Sequence, residues 1–382
     1  MRVLVTGGAG FIGSRLVERL AASNVAVTIL DNLSPQVHGN DPERSFTFGL
    51  IAGKADFIRG DVRDRAALEA ALAGVTHVVH LAAETGTGQS MYRIGHYADV
   101  NVHGTGVLLD LLGDRRHQVE RVVVASSRAV YGEGSGRCPE HGVVTPGPRL
   151  ERDLAAGFFD AKCPLCDHGT EPVPTREDAP LKPVSVYAIT KLAQELLVLE
   201  TCTSLGMPAI ALRYQNVYGP GQSLTNPYTG ILSVFFSALL EGQRINVFED
   251  GHESRDFVFI DDAVEATFAA LCRDGLEAKV VNVGSGRRST VLAVVEALAA
   301  AYAKPVDYVI TGDYRMGDIR HNFADTTRMR EVLHVVSSWD LERGVERFVE
   351  WALESTCGMA GDRSGYQAAL SEAAEFGVLK RR

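Results

Sequence analysis

The chain has 382 residues, 46% of them hydrophobic, and a formal net charge of −10 at pH 7. That is enough to build a full core without staples, and the acidic balance, with no Lys/Arg-rich run, excludes nucleic acid and anionic membrane as main partners. No apolar run approaches the roughly 18 to 20 residues that span a bilayer, and six sparse cysteines imply no disulfide framework, so a cytoplasmic setting is expected.

Up to about residue 130, apolar strand-like runs alternate with helical patterns: "RVLVTG", "VAVTIL", "ADFIRGD", "HVVHLAA" and "RVVVASS". The first is too short for a secretory signal. The alternation predicts a doubly wound α/β fold with a parallel sheet and crossover helices, placed over residues 1–205. Directly after the first strand, "VTGGAGFIG" opens a helix in which Ile12, Leu16 and Leu20 form an inward stripe. Gly7, Gly10 and Gly13 stand at GxxGxxG spacing, with Phe11 and Ile12 between the last two. A pyrophosphate resting on a helix N-terminus needs such small residues for the turn and for close backbone approach. Asp31 ends the second strand, where an acid accepts from both adenosine ribose hydroxyls and repels a 2′-phosphate, so NAD is favoured over NADP. Asn32 follows it. Asp61, next to Val62 in "GDVRD", either meets the adenine or is a plain turn acid.

Tyr97–Leu112 and Tyr187–Leu205 read as two further long helices. Between them, "ASSRAVYG" closes the fifth strand with Ser126 and Ser127. The stretch from Glu133 to Pro183 reads as an insertion. Its "CPEH" and "CPLC" turns offer Cys138, His141, Cys163 and Cys166, a spacing that resembles a closed structural zinc site, with His168 as an alternative ligand. A loop with free cysteines is the competing reading. Cys202, Cys272 and Cys357 look like ordinary buried or surface residues. In "YAITK", Tyr187 and Lys191 at i and i+4 share one helix face. A tyrosine of pKa near 10 needs a neighbouring cation to act as a base, and Lys191 and an oxidised nicotinamide would both serve. A strand over 207–214 returns to the sheet, and 206–355 is otherwise a smaller α/β substrate-binding domain. Residues 356–382 form a tail ending in one short amphipathic helix.

Taken together, these motifs resemble the extended short-chain dehydrogenase/reductase family, the NAD-dependent nucleotide-sugar epimerases and dehydratases, over most of residues 1–350. "TGGAGFIG", "HLAAE", Asn101 in "VNVHGT", "YAITK", "LRYQNVYGPGQ", "SRDFVFIDD" and "RMGDIR" carry the resemblance. It implies a Rossmann sheet, with Leu81, Ala82, Ala83, Asn101 and Tyr214 joining the NAD contacts and Ser127, Tyr187 and Lys191 as the catalytic group. The family's dehydratases resemble Thr-Asp-Glu before Val-Tyr-Gly, whereas Ser127, Arg128 and Ala129 stand here, so the pattern resembles the epimerases. The implied reaction inverts C4 of a dTDP- or UDP-hexose by transient oxidation with bound NAD to a 4-keto intermediate. Ser127 would bridge the sugar hydroxyl and Tyr187.

By the same resemblance Arg255, Arg315 and Asn216 hold the diphosphate, Phe248 lies near the base, and Gln89 joins the substrate contacts. "HLAAETGTGQSMY" with "YQNVYGPGQSLTNPYTGI" looks most like the dTDP-L-rhamnose 4-epimerase subgroup, which also carries a cysteine-bearing insertion. The family usually pairs helices such as 97–112 and 187–205 in a homodimer. Two other readings stay open: an NAD(P)H-dependent 4-ketosugar reductase using the same Tyr187 and Lys191, and a non-catalytic NAD-sensing protein.

Overall fold

The computed structural model of the chain describes residues 1–114, 117–228, 230–276, 279–356 and 365–381. Strands β1 (Arg2–Thr6), β2 (Ala26–Asp31), β3 (Asp56–Arg59), β4 (His77–His80) and β5 (Arg121–Ser127) alternate with helices. The insertion adds β6 (Ser135–Cys138), β7 (Gly142–Val144) and β8 (Glu171–Val173). Beyond it come β9 (Ala209–Tyr214), β10 (Asn216–Tyr218), β11 (Ile245–Val247), β12 (Ser254–Arg255), β13 (Phe257–Phe259) and β14 (Val280–Val283). Seven of these form one sheet in the order β14-β9-β5-β4-β1-β2-β3, every pair parallel. The order reverses between β1 and β4, and there an open α/β sheet leaves a crevice at its carboxyl edge.

A parallel sheet is covered on both faces, so its strands are apolar at every position rather than alternately. In β1, Val3 and Val5 join the core cluster of Leu16 and Leu20, while Leu4 points into the opposite cluster with Leu108, Leu112 and Val198. Two features differ from the sequence reading. The sheet takes a seventh strand, Val280–Val283, from the stretch otherwise read as substrate-binding. The expected helix from Tyr97 to Leu112 is three pieces, a turn over Ile94–Tyr97, a π turn over Ala98–His103 and a helix over Gly104–Gly113. Such π turns cluster at functional sites. Asn101 sits in this one.

The helix Val186–Leu205 starts where the Ser185 hydroxyl accepts from the Ala188 amide at 3.2 Å and the Ser90 hydroxyl accepts from the Tyr187 amide at 3.0 Å. It stops at Gly206, whose φ of +69° is the left-handed turn that glycine tolerates. The insertion forms an antiparallel sheet, β7-β6-β8, that the sequence reading left as irregular. The tail forms a helix over Gly365–Glu375 and then a strand, Leu379–Lys380, antiparallel to Tyr314–Arg315. Cys202 is buried, Cys272 is exposed and Cys357 lies outside the described residues. No helix among the described residues is long and apolar enough to cross a membrane.

Candidate active site

A cavity of about 610 Å³ opens at the carboxyl edge of the sheet, where the strand order reverses. One end is lined by Gly7, Gly10, Phe11, Ile12 and Gly13. Gly7 has φ +71°, and a Cβ there would meet the Ala82 backbone at 2.9 Å; one on Gly13 would meet the Gly7 carbonyl at 2.2 Å. No side chain fits at either position, so the loop and the first helix close to a bare backbone cradle suited to a pyrophosphate. Asp31 is buried at the end of β2, its carboxylate accepting from the Ala9 amide at 3.0 Å and the Leu33 amide at 2.9 Å. A carboxylate has lone pairs beyond these two for ribose hydroxyls. Asn32 donates to Asp61 at 3.0 Å, and Arg63 grips the same Asp61 carboxylate, holding it well below the usual carboxylate range. Val62, Leu81, Ala82, Ala83 and Tyr214 complete this end. These residues fit a dinucleotide with an unphosphorylated ribose.

Beneath the cavity a buried polar chain links β1 to the long helix. Thr6 Oγ1 lies 2.7 Å from His80 Nδ1, and His80 Nε2 lies 2.9 Å from Thr105 Oγ1. Gln194 donates to Thr105 at 2.8 Å and accepts from Lys191 Nζ at 2.6 Å. Burial, with Lys191 as second cause, pushes the His80 imidazole down to about 3, so it stays neutral. Burial also lowers the Lys191 ammonium to about 7, opposed by Glu195.

The two serines that end β5 have separate jobs. Ser126 Oγ points below the sheet and donates to Glu195 at 2.5 Å. Glu195 in turn pairs bidentately with Arg213 of β9, at 3.0 and 2.5 Å. Ser127 lines the cavity beside Tyr187, accepts from the Ala129 amide at 3.2 Å and lowers the pKa of the Tyr187 phenol. Burial raises the Tyr187 pKa, while the Ser127 hydrogen bond and then the Arg128 charge pull it back. Arg128 is thus one cation bearing on this phenol, and Lys191, on the same cavity, donates to Gln194. Sequence reading noted position 128 only as a missing acid. Its signal was present as a positive charge next to the serine of an otherwise neutral strand end.

Arg128 is held by its Nε, which donates to Asn216 Oδ1 at 2.6 Å, and burial followed by repulsion from Arg255 lowers it to about 9. Because the guanidinium takes the carboxamide oxygen, the Asn216 amide nitrogen is left oriented as a donor. Arg255 lines the cavity, with donors committed to Asp318 at 2.8 Å and to the carbonyls of Ser254, Ile319 and Arg320. The Arg315 guanidinium lies 4.6 Å from the Phe248 ring centroid.

Two expected contacts do not line the cavity. The Asn101 carboxamide accepts from the Glu84 amide at 2.7 Å and donates to the Glu84 carbonyl and Thr190 Oγ1, bracing the end of β4 against the Tyr187 helix. Gln89 exchanges two 3.1 Å hydrogen bonds with Gln36 and accepts from Tyr97. Both amides are spent within the protein. Conversely, Ala369, Leu370, Ala373 and Val378 of the tail line the cavity, a contribution the sequence reading missed because these small and aliphatic residues carry no motif. Away from the cavity, Cys138, His141, Cys163 and Cys166 converge in the insertion with all four ligand atoms within 4.8 Å of one another. His168 falls in a second group with Cys166 and Glu140, and lies 3.0 Å from the latter.

Known proteins agree with this geometry. The chain is 40% identical to the dTDP-L-rhamnose 4-epimerase of Burkholderia thailandensis, over 92% of this chain and 94% of that one. Its fold is similar to that of a UDP-glucose 4-epimerase from Thermotoga maritima solved with UDP-glucose, with a TM-score of 0.74, 28% identity and coverage of 93% and 99%. It is also similar to MoeE5 solved with UDP-glucuronic acid and NAD, with a TM-score of 0.74, 29% identity and coverage of 93% and 100%. The family profile matches residues 3–150 and 164–284, spanning the glycine cradle, the β5 serines and the Tyr187 helix, and the chain belongs to the NAD dependent epimerase/dehydratase family.

Proposed function

We propose that the protein is a nucleotide-sugar 4-epimerase that works with bound NAD and takes a dTDP-hexose, of the dTDP-L-rhamnose type, or a UDP-hexose. The observation that carries this reading is the strand end itself: a serine that lines the cavity with Tyr187, followed by Arg128 and Ala129 where elimination of water calls for acids. NAD, when bound, supplies reversible acceptance of the hydride from the sugar carbon. Tyr187 takes the proton of the C4 hydroxyl at its phenol oxygen and later returns it. Ser127 relays the hydrogen bond between hydroxyl and phenol. Arg128 favours the phenolate by its charge and aligns Asn216, which with Arg255 and Arg315 suits a diphosphate. The tail and Phe248 wall off water from this end.

The exposed Ile189, Leu196 and Leu197 on the Val186–Leu205 helix support the expected homodimer through that helix. Free cysteines suit a reducing compartment, in keeping with the cytoplasmic setting expected from the sequence.

The test is proton NMR of dTDP- and UDP-hexoses, dTDP-L-rhamnose among them, incubated with purified protein and no added cofactor. A product with inverted C4 couplings is expected. Turnover that requires added NADH or NADPH and a 4-keto sugar would instead make the protein a reductase.

A pH profile tests the role of Arg128. Tyr187 acts deprotonated, so activity rises with pH through its pKa, which burial raises and Arg128 lowers. Arg128→Gln removes one of the two lowering causes, Ser127 being the other, and is expected to move the acidic limb of the kcat profile to higher pH, costing about tenfold in rate at neutral pH per unit of movement. Arg128→Lys should restore much of the limb. An unmoved limb in Arg128→Gln would show that the guanidinium does not act on the phenol.

A further inference from the structure

We propose that the insertion binds one structural zinc ion through Cys138, His141, Cys163 and Cys166, and that this ion clamps the loop that holds the substrate arginines in place.

Two hairpins present the ligands in pairs. The β6–β7 hairpin carries Cys138 at the end of its first strand and His141 in its turn. The second hairpin, bridged at Lys162 and Gly169, carries Cys163 and Cys166. Its turn is closed by the Asp167 amide donating to the Cys163 carbonyl at 3.0 Å and the Cys163 amide donating to the His168 carbonyl at 2.7 Å. The Cys138 and Cys166 sulfurs are 3.5 Å apart, and His141 Nδ1 lies 3.6 Å from Cys138 Sγ and 3.7 Å from Cys163 Sγ. Zinc bonds of about 2.3 Å to sulfur and 2.0 to 2.1 Å to nitrogen place the corners of a tetrahedron roughly 3.5 to 3.8 Å apart. Three of the six separations match such a shell and the others stay within 4.8 Å, so four protein ligands would close it and leave no position open for catalysis. All four cysteine and histidine partners come from the protein. His168 is drawn to Glu140 instead, at 3.0 Å.

The insertion needs such a link because its own apolar cluster is small. It consists of Leu154 and Phe159 against Tyr314, with Met316 at its edge. Val143, Leu150, Phe158 and Leu165 are exposed. Small modules with so little core draw their folding energy from the metal.

The segment 142–162 runs between the two ligand pairs, so the ion fixes both its ends. Arg149 within it is buried, donating to Glu133 at 3.0 Å, to Glu249 at 2.7 Å and to the Asp318 carbonyl at 3.0 Å. Asp160 accepts from Arg320 at 2.9 Å. Glu133, just before the first ligand, accepts from the Arg320 amide at 2.6 Å. The stretch 318–320 held in this way is the one that positions Arg255, through the Asp318 carboxylate and the Ile319 and Arg320 carbonyls.

The test begins with the intact protein, purified without chelator, and reads its metal content by mass spectrometry. About one zinc per chain is expected, released when a mercurial blocks the thiols and lost in Cys163→Ser. No zinc, iron in its place, or a disulfide among these cysteines overturns the proposal. The clamp rests on the epimerase reading, whereas the metal does not, so the two can fail separately. In Cys163→Ser, KM for the nucleotide sugar should rise roughly tenfold, the fold-change of one charge-assisted hydrogen bond, with kcat nearly kept. If that variant does not fold, slow chelation of the folded protein gives the same comparison. An unchanged KM after zinc loss overturns the clamp.

Discussion

Tyr187→Phe is expected to lower kcat by roughly 100- to 10,000-fold while leaving NAD content and KM close to those of the unaltered protein. The substitution removes one oxygen from a ring that is already buried, so packing barely changes. What it deletes is the phenol oxygen beside Ser127 that the proposed mechanism uses to carry the C4 hydroxyl proton in both directions. The loss should be larger than that of Arg128→Gln, because Arg128 tunes the phenol and Tyr187 is the phenol. Stopped-time NMR with the identified sugar gives kcat, and the absorbance of released nucleotide gives the bound NAD. If the Phe variant turns over at a near-normal rate, Tyr187 is not the base, and the proton must travel through Ser127 to another group.

Glu195→Ala should destabilise the fold by about 3 to 5 kcal/mol, the range seen when one member of a buried ion pair is removed. Glu195 and Arg213 are nearly fully buried, and their bidentate contact holds Arg213 above its usual pKa. Arg213 also donates to Tyr131 at 2.9 Å and to the Glu177 carbonyl at 3.0 Å, so it cannot swing out to water without breaking those contacts. Without Glu195 a guanidinium charge remains in the interior, and Ser126 loses its acceptor as well. Urea unfolding followed by tryptophan fluorescence or circular dichroism measures the loss. A change below about 1 kcal/mol would mean that water enters the site and solvates Arg213.

The parts of the fold that were legible in the sequence were those written in apolar runs. Strands β1, β2, β4 and β5 are largely buried, so each prints as a mainly apolar stretch such as "RVVVA", whereas β3, at the sheet edge, is only partly buried. Strand β14 also pairs in this sheet, but it is only four residues long and carries Asn282, which is buried to accept from Tyr131 at 2.7 Å. A polar residue serving a distant partner hides a short strand. The three strands of the insertion have three or four residues each and are rich in glycine and polar side chains, which is why no period of two is visible in them.

In the site, residues placed by their own local geometry were brought to the cavity: the glycines of the cradle, Asp31 at a strand end, and Tyr187 and Lys191 one helical turn apart. Residues whose role depends on where another segment arrives were not legible in this way. Gln89 and Asn101 lie within motifs, yet Gln36 and Glu84 take up their amides. The direction of Lys191 is set by Gln194, three residues on, and a further cation that bears on the phenol, Arg128, opens the 3-10 turn that follows β5. The tail reaches the cavity through a contact between Tyr92 and Glu372, 280 residues apart, and no local pattern records that distance.

The 3-10 turn over Arg128–Tyr131 bears on how such proteins diversify. Its backbone is pinned at the start by the Ser127 hydroxyl and at the end by Gly132, where a Cβ would meet the Lys182 carbonyl at 2.3 Å. Tyr131 anchors it from below through Asn282. The side chains at 128 and 129 are carried by this fixed turn and do not shape it. What stands at these two positions can therefore differ without altering the backbone path of the turn.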